Sequence, residues 1–355
     1  MTARKIFQTP WLWLLFALSL VILVSFFLPT LALPEDQHPI HEFLFGFEEE
    51  GYVYYPVSHR NYFFVITGLV LLLLLVVAAM LVQNSRAAKV LEKKNKVITG
   101  FNQKITSSIQ YAQKIQHSLL PSEQLVKSYF SDAFVLYQPR DIVSGDFFWV
   151  SEVGNLKLVA AIDCTGHGVP GAFLTIMANQ ALRKIVYERA ITSPAEILFE
   201  MHKDILTAFN QNKASLGGDG MDIGICLIDY DDRVLHFAGA NMPLLHTSGT
   251  GITRIKGDRL WVGSPLINAE GPNPFQQKVI PFYSTDSFYL FSDGYSDQFG
   301  GERDRKFLFS NLQKLLNEVS RLTMDEQKDK LEDALSRWKG TTAQTDDILG
   351  VGFKV

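Results

Sequence analysis

Four aspartates, each set in a short Gly-rich or turn-like run, constrain this chain more than any other feature: Ser144-Gly145-Asp146, Ile162-Asp163-Cys164-Thr165-Gly166-His167-Gly168, Phe291-Ser292-Asp293-Gly294 and Gln344-Thr345-Asp346-Asp347-Ile348. Two of these runs end apolar, β-rich stretches (Leu158–Ile162 and Ser287–Phe291), and a third precedes one (Phe147–Val150). Residues at strand ends can be aimed at a shared point, so the pattern reads as a carboxylate metal centre. Hard divalent cations such as Mg²⁺ and Mn²⁺ take oxygen ligands, and glycines beside the ligands let backbone carbonyls and water come close.

The 355 residues are 47% hydrophobic, and the apolar content is concentrated near the N-terminus. Trp11–Leu33 and Tyr62–Val82 carry no charged residue, and each is long enough to cross a hydrocarbon layer of roughly 30 Å. Two transmembrane helices are expected, about 11–33 and 62–82, joined by an external loop, 34–61. Arg4 and Lys5 precede the first, while Arg86, Lys89, Lys93, Lys94 and Lys96 follow the second; the loop carries Glu35, Asp36, Glu42, Glu48, Glu49 and Glu50. By the positive-inside rule both ends face the cytoplasm. The alternative is a cleavable signal peptide ending near Thr30-Leu31-Ala32, although the apolar run exceeds the roughly 7–15 residues usual for such a core. Cys164 and Cys226 both lie beyond the second segment, on the reducing side, so no disulfide is expected. A net charge of −4 and the absence of a basic patch interleaved with aromatics argue against a nucleic-acid partner. The juxtamembrane lysines read instead as a topology signal and a contact for lipid headgroups.

Beyond the membrane segments, apolar positions recur every seven residues at Leu91, Ile98, Ile105, Ala112 and Leu119, with Phe101 and Ile115 on alternate positions. This seam predicts a parallel coiled-coil homodimer through 91–119, weakened by Lys94 and Ser108; one amphipathic helix packed on its own domain is the alternative. Pro121 ends the helix, because its ring and missing N–H cannot continue the ladder. From about Asp132 the pattern becomes short apolar strands with turns: Ala133–Tyr137, Asp146–Val153, Lys157–Asp163, Asp222–Tyr230, Val234–Gly239, Gly251–Ile255, Gln277–Pro281, Ser287–Ser292 and Ile348–Val355. Helices are expected at Gly171–Glu188, Ala195–Asn210 and about Phe307–Trp338. Many strands without regular βα alternation imply an antiparallel α+β domain. The chain thus divides into a membrane hairpin (1–85), a helical linker (86–120) and a catalytic domain (121–355).

The ordered motifs Ser-Gly-Asp-Phe-Phe-Trp, Asp-Cys-Thr-Gly-His-Gly-Val-Pro-Gly-Ala, Gly-Ala-Asn-Met-Pro, Phe-Ser-Asp-Gly-Tyr-Ser-Asp-Gln and Thr-Asp-Asp-Ile resemble those of the metal-dependent protein phosphatase 2C superfamily, in its bacterial SpoIIE-type serine phosphatase branch. The resemblance spans roughly Pro121 to Val355. It implies an αββα fold, two packed antiparallel sheets flanked by helices, with two Mn²⁺ or Mg²⁺ ions at one end. Carried onto this chain, it implies that Asp163 bridges the ions, with Asp146 and the Cys164 carbonyl on one and Asp293 and Asp347 on the other, so that a metal-bridged water attacks phosphoserine or phosphothreonine. Asp346 is a competitor for the place of Asp347. Cys164 stands where the family often has glycine, which places a thiol beside the metals and opens it to oxidation.

His167 is a candidate proton donor to the leaving oxygen, or else a structural partner of its own turn. Arg140 is a candidate for the substrate phosphate, which a guanidinium matches bidentately, or else a surface ion-pair residue. Asp222 reads as a supporting acid, and Gly239 and Asn241 as a turn. The resemblance further implies a phosphorylated regulatory protein as substrate, with a STAS-domain anti-sigma antagonist as one example, and a bacterial cytoplasmic-membrane location with the catalytic domain in the cytoplasm. It also implies a signal that runs through the Leu91–Leu119 helix to the helices after Asp163. Two other classes fit the sequence less well. A catalytically silent scaffold that binds a phosphoprotein has no reason to keep all four aspartates. A membrane histidine kinase would need a Gly-rich nucleotide-binding series after the helix, which this chain does not have, and His117 within the helix has no neighbouring acidic residue.

Overall fold

The computed structural model describes residues 59–210, 220–248 and 251–355. The first expected membrane segment and nearly all of the loop after it lie outside the described residues. The chain divides into two units, Met1–Gln103 and Lys104–Val355.

The second apolar segment and the whole heptad segment belong to one unbroken helix, α1 (His59–Leu119), instead of two separate elements. It contains a stretch long and apolar enough to cross a membrane by length and composition. Large apolar side chains from Val65 to Val82 stand exposed along it, as do Leu91, Ile98 and Phe101. The helix stops at Leu119, two residues before Pro121.

The second unit begins with the end of α1 and the short α2 (Glu123–Tyr129), capped by Ser122, whose Oγ accepts from Leu125 N. Two five-stranded sheets follow. One has the order β1 (Asp132–Gln138), β12 (Ile348–Lys354), β9 (Ser287–Phe291), β6 (Leu244–Ser248) and β7 (Gly251–Ile255). The other has the order β2 (Asp146–Val153), β3 (Leu156–Cys164), β4 (Met221–Asp229), β5 (Val234–Ala240) and β8 (Lys278–Pro281). Every ladder in both sheets is antiparallel. β6 and the small hairpin β10–β11 (Phe299–Gly300, Arg305–Lys306) had no counterpart in the sequence reading, the former because Pro243 and His246 interrupt its apolar run.

The strands read as nearly continuous apolar runs because both faces of each sheet are covered, and successive side chains point to opposite faces. Phe148, Val150, Val159, Ala161, Cys226 and Ile228 face the other sheet, meeting Val135, Leu244, Phe288, Leu290, Val351 and Phe353. Their neighbours Phe147, Trp149, Leu158, Ala160 and Ile162 face outward. Those residues are covered by α3 (Val169–Arg183, extended by a π-helical turn Lys184–Glu188) and α4 (Pro194–Asn210), through Leu174, Ala178, Ile185, Ile197 and Leu198. On the opposite side Phe134, Leu136, Tyr289 and Phe291 are covered by α6 (Phe309–Val319) and α7 (Met324–Lys339), through Leu312, Leu316, Leu331 and Leu335. These are four layers, αββα. The single helix expected over about Phe307–Trp338 is two, because Thr323 N-caps α7 in a capping box with Glu326 and so forces a break after Val319.

Candidate metal centre

Register brings the acids together. In the β2–β3 ladder Asp146 lies directly opposite Asp163, and in the β3–β4 ladder Asp163 lies directly opposite Asp222. Directly paired residues share a face, so three carboxylates stand side by side across three strands on the face turned toward the other sheet. From that sheet, β9 and β12 pair with Phe291 opposite Gly350, so Asp293 just after β9 and Asp346 and Asp347 just before β12 leave from a common end. The two ends meet: Ser292 Oγ donates to Asp146 Oδ2 at 2.6 Å, and Gly145 N donates to Asp347 Oδ2 at 2.7 Å. The loop after Asp163 packs tightly on the loop before Asp146, since a Cβ on Gly145 would stand 2.6 Å from the Gly166 carbonyl oxygen. A short helical turn, α5 (Gly294–Asp297), starts directly after Asp293.

Like charges placed directly opposite one another destabilise a sheet, and here they are also withdrawn from water. Asp146 is buried, and its carboxyl is raised well above the ordinary range by lost hydration and then by Asp347 and Asp346, against the Ser292 hydrogen bond. Lost hydration likewise raises Asp163, followed by Asp146, Asp293, Asp222 and Asp346. Asp222 is pushed up to about 6 by lost hydration and Asp293, against the hydrogen bond from Asn241 Nδ2 at 2.6 Å. At the open rim, Asp293 is raised by lost hydration, Asp297 and Asp346, with Lys306 opposing. An all-oxygen, acid-rich donor set that resists ionisation by itself fits a hard divalent cation. Among the described residues no group of three or more Asp, Glu, His or Cys side chains forms a finished ion shell. The buried carboxylates are turned to protein donors.

The two C-terminal aspartates differ in use. Asp347 is buried, with Oδ1 accepting from Arg140 N at 2.7 Å and Oδ2 from Gly145 N at 2.7 Å. Asp346 is exposed; its Oδ1 accepts from Asp347 N, and its charge acts on Asp146, Asp163 and Asp293. The Arg140 side chain is exposed, and one guanidinium nitrogen donates to the Thr345 carbonyl at 2.9 Å. His167 Nδ1 is 2.9 Å from Asp141 Oδ2. Of the two residues expected to build a turn, Asn241 does so, at φ +57°, whereas Gly239 lies within β5, paired opposite Gly224. The expectation of an oxidisable thiol beside the metals is corrected: the Cys164 side chain is buried in the core against α3 and α4, and burial pushes its thiol far up, which makes it inert.

Two contributors escaped the sequence reading. Ser292 both donates to Asp146 and accepts from Leu349 N at 3.0 Å, a role hidden inside the Phe-Ser-Asp-Gly run. Gln116, near the end of α1, is 2% exposed. Its amide donates to the Ser144 carbonyl at 2.6 Å and to Thr175 Oγ1 at 2.9 Å, and it accepts from Ser144 N at 3.1 Å. It thereby holds the turn leading to Asp146 and touches α3, and no local pattern distinguishes it from other glutamines.

A four-layer αββα sandwich with an acidic cluster between its sheets at one end is the arrangement of a PP2C-type phosphatase domain. Residues 154–355 match the family model of stage II sporulation protein E (SpoIIE). Among solved structures, the SiaA PP2C domain of Pseudomonas aeruginosa is 30% identical with a TM-score of 0.64, over 72% of this chain and 97% of that one. The phosphatase domain with a regulatory fragment of SpoIIE from Bacillus subtilis is 19% identical (TM-score 0.49, 63% of each chain). RsbX in complex with magnesium is 15% identical (TM-score 0.42, 63% of this chain and 94% of that one). A search of curated protein sequences returned no match. The chain belongs to the SpoIIE family of PP2C-type serine/threonine phosphatases.

Proposed function

We propose that this phosphatase is metal-dependent and membrane-anchored, and that it acts on phosphoserine or phosphothreonine of a regulatory protein. The reading rests above all on the row Asp146, Asp163 and Asp222, set side by side by register and facing Asp293 and Asp346. Asp146, Asp163, Asp293 and the Cys164 carbonyl would hold two Mn²⁺ or Mg²⁺ ions, with Asp163 between them. For the remaining ligand the reading takes Asp346 over Asp347, because both oxygens of Asp347 are already committed to backbone N–H groups. Two such ions supply charge neutralisation, a more acidic water and a clamp on phosphoryl oxygens.

The protein's own residues do the rest. Asp222 and Asn241 hold the flank of the acidic row, Ser292 fixes Asp146, and Asp347 fixes the loop before β2. Arg140, bound on one side to Thr345, has guanidinium donors left for a phosphate oxygen. The apolar stretch of α1 would anchor the chain in lipid, and the substrate would be a phosphorylated STAS-type regulatory protein, as the resemblance implies.

The test is hydrolysis of p-nitrophenyl phosphate by the full chain in detergent, with Mn²⁺, with Mg²⁺ and with chelator. Turnover that needs metal and disappears in Asp163→Asn is expected. Equal turnover in chelator would refute the metal-dependent reading, and no turnover under any condition would favour a silent phosphoprotein-binding scaffold.

A further inference from the structure

One buried titratable side chain takes no part in the site described above. His202, on α4, is fully buried, and both of its ring nitrogens are used. Nδ1 accepts from Gly263 N at 3.1 Å, which leaves the proton on Nε2, and Nε2 lies 3.3 Å from the Ile267 carbonyl oxygen. A ring that accepts from one backbone group and donates to another is neutral and held in one tautomer. Lost hydration, opposed by the Ile267 bond, lowers its proton affinity and favours the same neutral form.

Both partners lie on one strap, residues 258–267, which crosses the end of the β3–β4–β5 sheet where the acids stand. At its first point Asp258 O accepts from Asn241 N and Asp258 N donates to Gly239 O, both at 2.7 Å. At its second, Val262 and Met221 exchange both backbone bonds, at 2.9 and 3.0 Å. Met221 precedes Asp222 and lies directly opposite Cys164, while the Asn241 side chain bonds Asp222. The strap therefore grips Asp222 through both of these neighbours. Just before Met221, Gly220 O accepts from Thr165 N and Gly220 N donates to Thr165 Oγ1, both at 2.9 Å. The same joint thus reaches the turn that follows Asp163 and Cys164. Trp261 packs directly on Gly220, where a Cβ would stand 2.1 Å from the indole Cδ1, and its Nε1 is buried without a partner. Gly263 then turns the strap onto α4 at φ +93°, a conformation open to glycine. Among the described residues, the strap's hydrogen bonds to α4 are the two at His202.

We propose that His202 is a positioning residue for the metal centre: it latches the 258–267 strap to α4, and the strap sets the start of β4, Asp222 and the turn that carries the Cys164 carbonyl. This rests on the metal-dependent reading above. The imidazole acts by geometry alone, since it is buried away from substrate and ions. It gives α4 a mechanical route to the acid row that does not pass through the loop before Asp146.

The experiment uses the full chain in detergent and reads two quantities: Mn²⁺ affinity by calorimetry, and amide hydrogen exchange of the metal-free protein. His202→Ala should raise the Mn²⁺ Kd about tenfold, the low end of what residues that orient metal ligands contribute. It should also speed exchange at Met221 and Val262, while Val159 and Val351 in the sheet core keep their protection. His202→Asn keeps an acceptor near the Nδ1 position, and His202→Gln a donor near the Nε2 position. The Asn variant should restore more of the affinity, because Gly263 adjoins the Val262–Met221 bond pair. Gly263→Ala, strained at its positive φ, loosens the strap from the other side and gives the readout if the His202 variants do not fold. Unchanged Mn²⁺ affinity in a variant with fast exchange at Met221 overturns the proposal. So does exchange that rises across the whole domain, or an equal loss in His202→Asn and His202→Ala. Wild type that binds no Mn²⁺ overturns the metal-dependent reading itself, whereas wild-type binding that His202→Ala leaves intact overturns the latch alone.

Discussion

At the scale of single residues, neighbours of the same type divide the work according to what surrounds them. Asp346→Asn should weaken Mn²⁺ binding by calorimetry while leaving thermal unfolding in chelator nearly unchanged, because its side chain is exposed. Asp347→Asn should do the reverse. One carboxylate oxygen becomes an NH₂ facing a backbone N–H, so a buried donor loses its acceptor, at a cost of about 1–3 kcal/mol. If Asp347→Asn is as stable as wild type but loses metal, the division is wrong. Asp222 makes a second prediction. Its carboxyl sits at about 6 in the fold against the usual 3.8, so between those values the folded state binds more protons than the unfolded one. The protonated carboxyl's contribution is therefore present at acid pH and lost as pH rises through about 6. In chelator, the stability of wild type relative to Asp222→Asn should fall by up to about 3 kcal/mol between pH 4 and pH 7, and urea titrations at several pH values would detect it. A flat difference would mean that Asp222 is better hydrated than the fold implies.

At the scale of elements, the informative joints are those where one element holds another's turn. The Gln116 amide satisfies both backbone groups of Ser144 and reaches Thr175 on α3. Gln116→Ala leaves the Ser144 N–H without its side-chain acceptor. It should lower stability by about 1–3 kcal/mol and weaken Mn²⁺ binding several-fold, with Gln116→Glu recovering only the acceptor half. Unchanged metal affinity in Gln116→Ala would confine the residue to packing. The sequence reading placed most strands within a residue or two, because both faces of each sheet are buried and period-2 burial shows as an unbroken apolar run. It lost β6, whose Leu244-Leu245-His246-Thr247 run is short and mixed and becomes a strand through pairing with β9 and β7. It also ran α6 into α7, because the apolar period continues through Ser320–Thr323 and the break is set by a side-chain cap.

On the scale of the whole molecule, the seam Leu91, Ile98 and Ile105 lies exposed along α1, and a second copy of the same helix would cover it. Ile98→Lys should convert a detergent-solubilised dimer to monomer in sedimentation. A monomeric wild type would remove the coiled-coil expectation.

Some features follow from the chain alone, since periodicity, turn chemistry and hydropathy are local. The antiparallel α+β pattern of strands, the helix-ending Pro121, the long apolar segments and the four aspartate-bearing runs were all legible that way. Others required the tertiary structure, because they depend on which residues face one another across strands and layers. Register makes Asp163 the middle of a row between Asp146 and Asp222. The end of α1 brings Gln116 onto Ser144, two loops meet at His167 and Asp141, and the approach of the sheets commits Asp347 to backbone N–H groups while leaving Asp346 open. A sequence shows that acids stand at strand ends; only strand pairing and the distance between sheets decide which of them share a field.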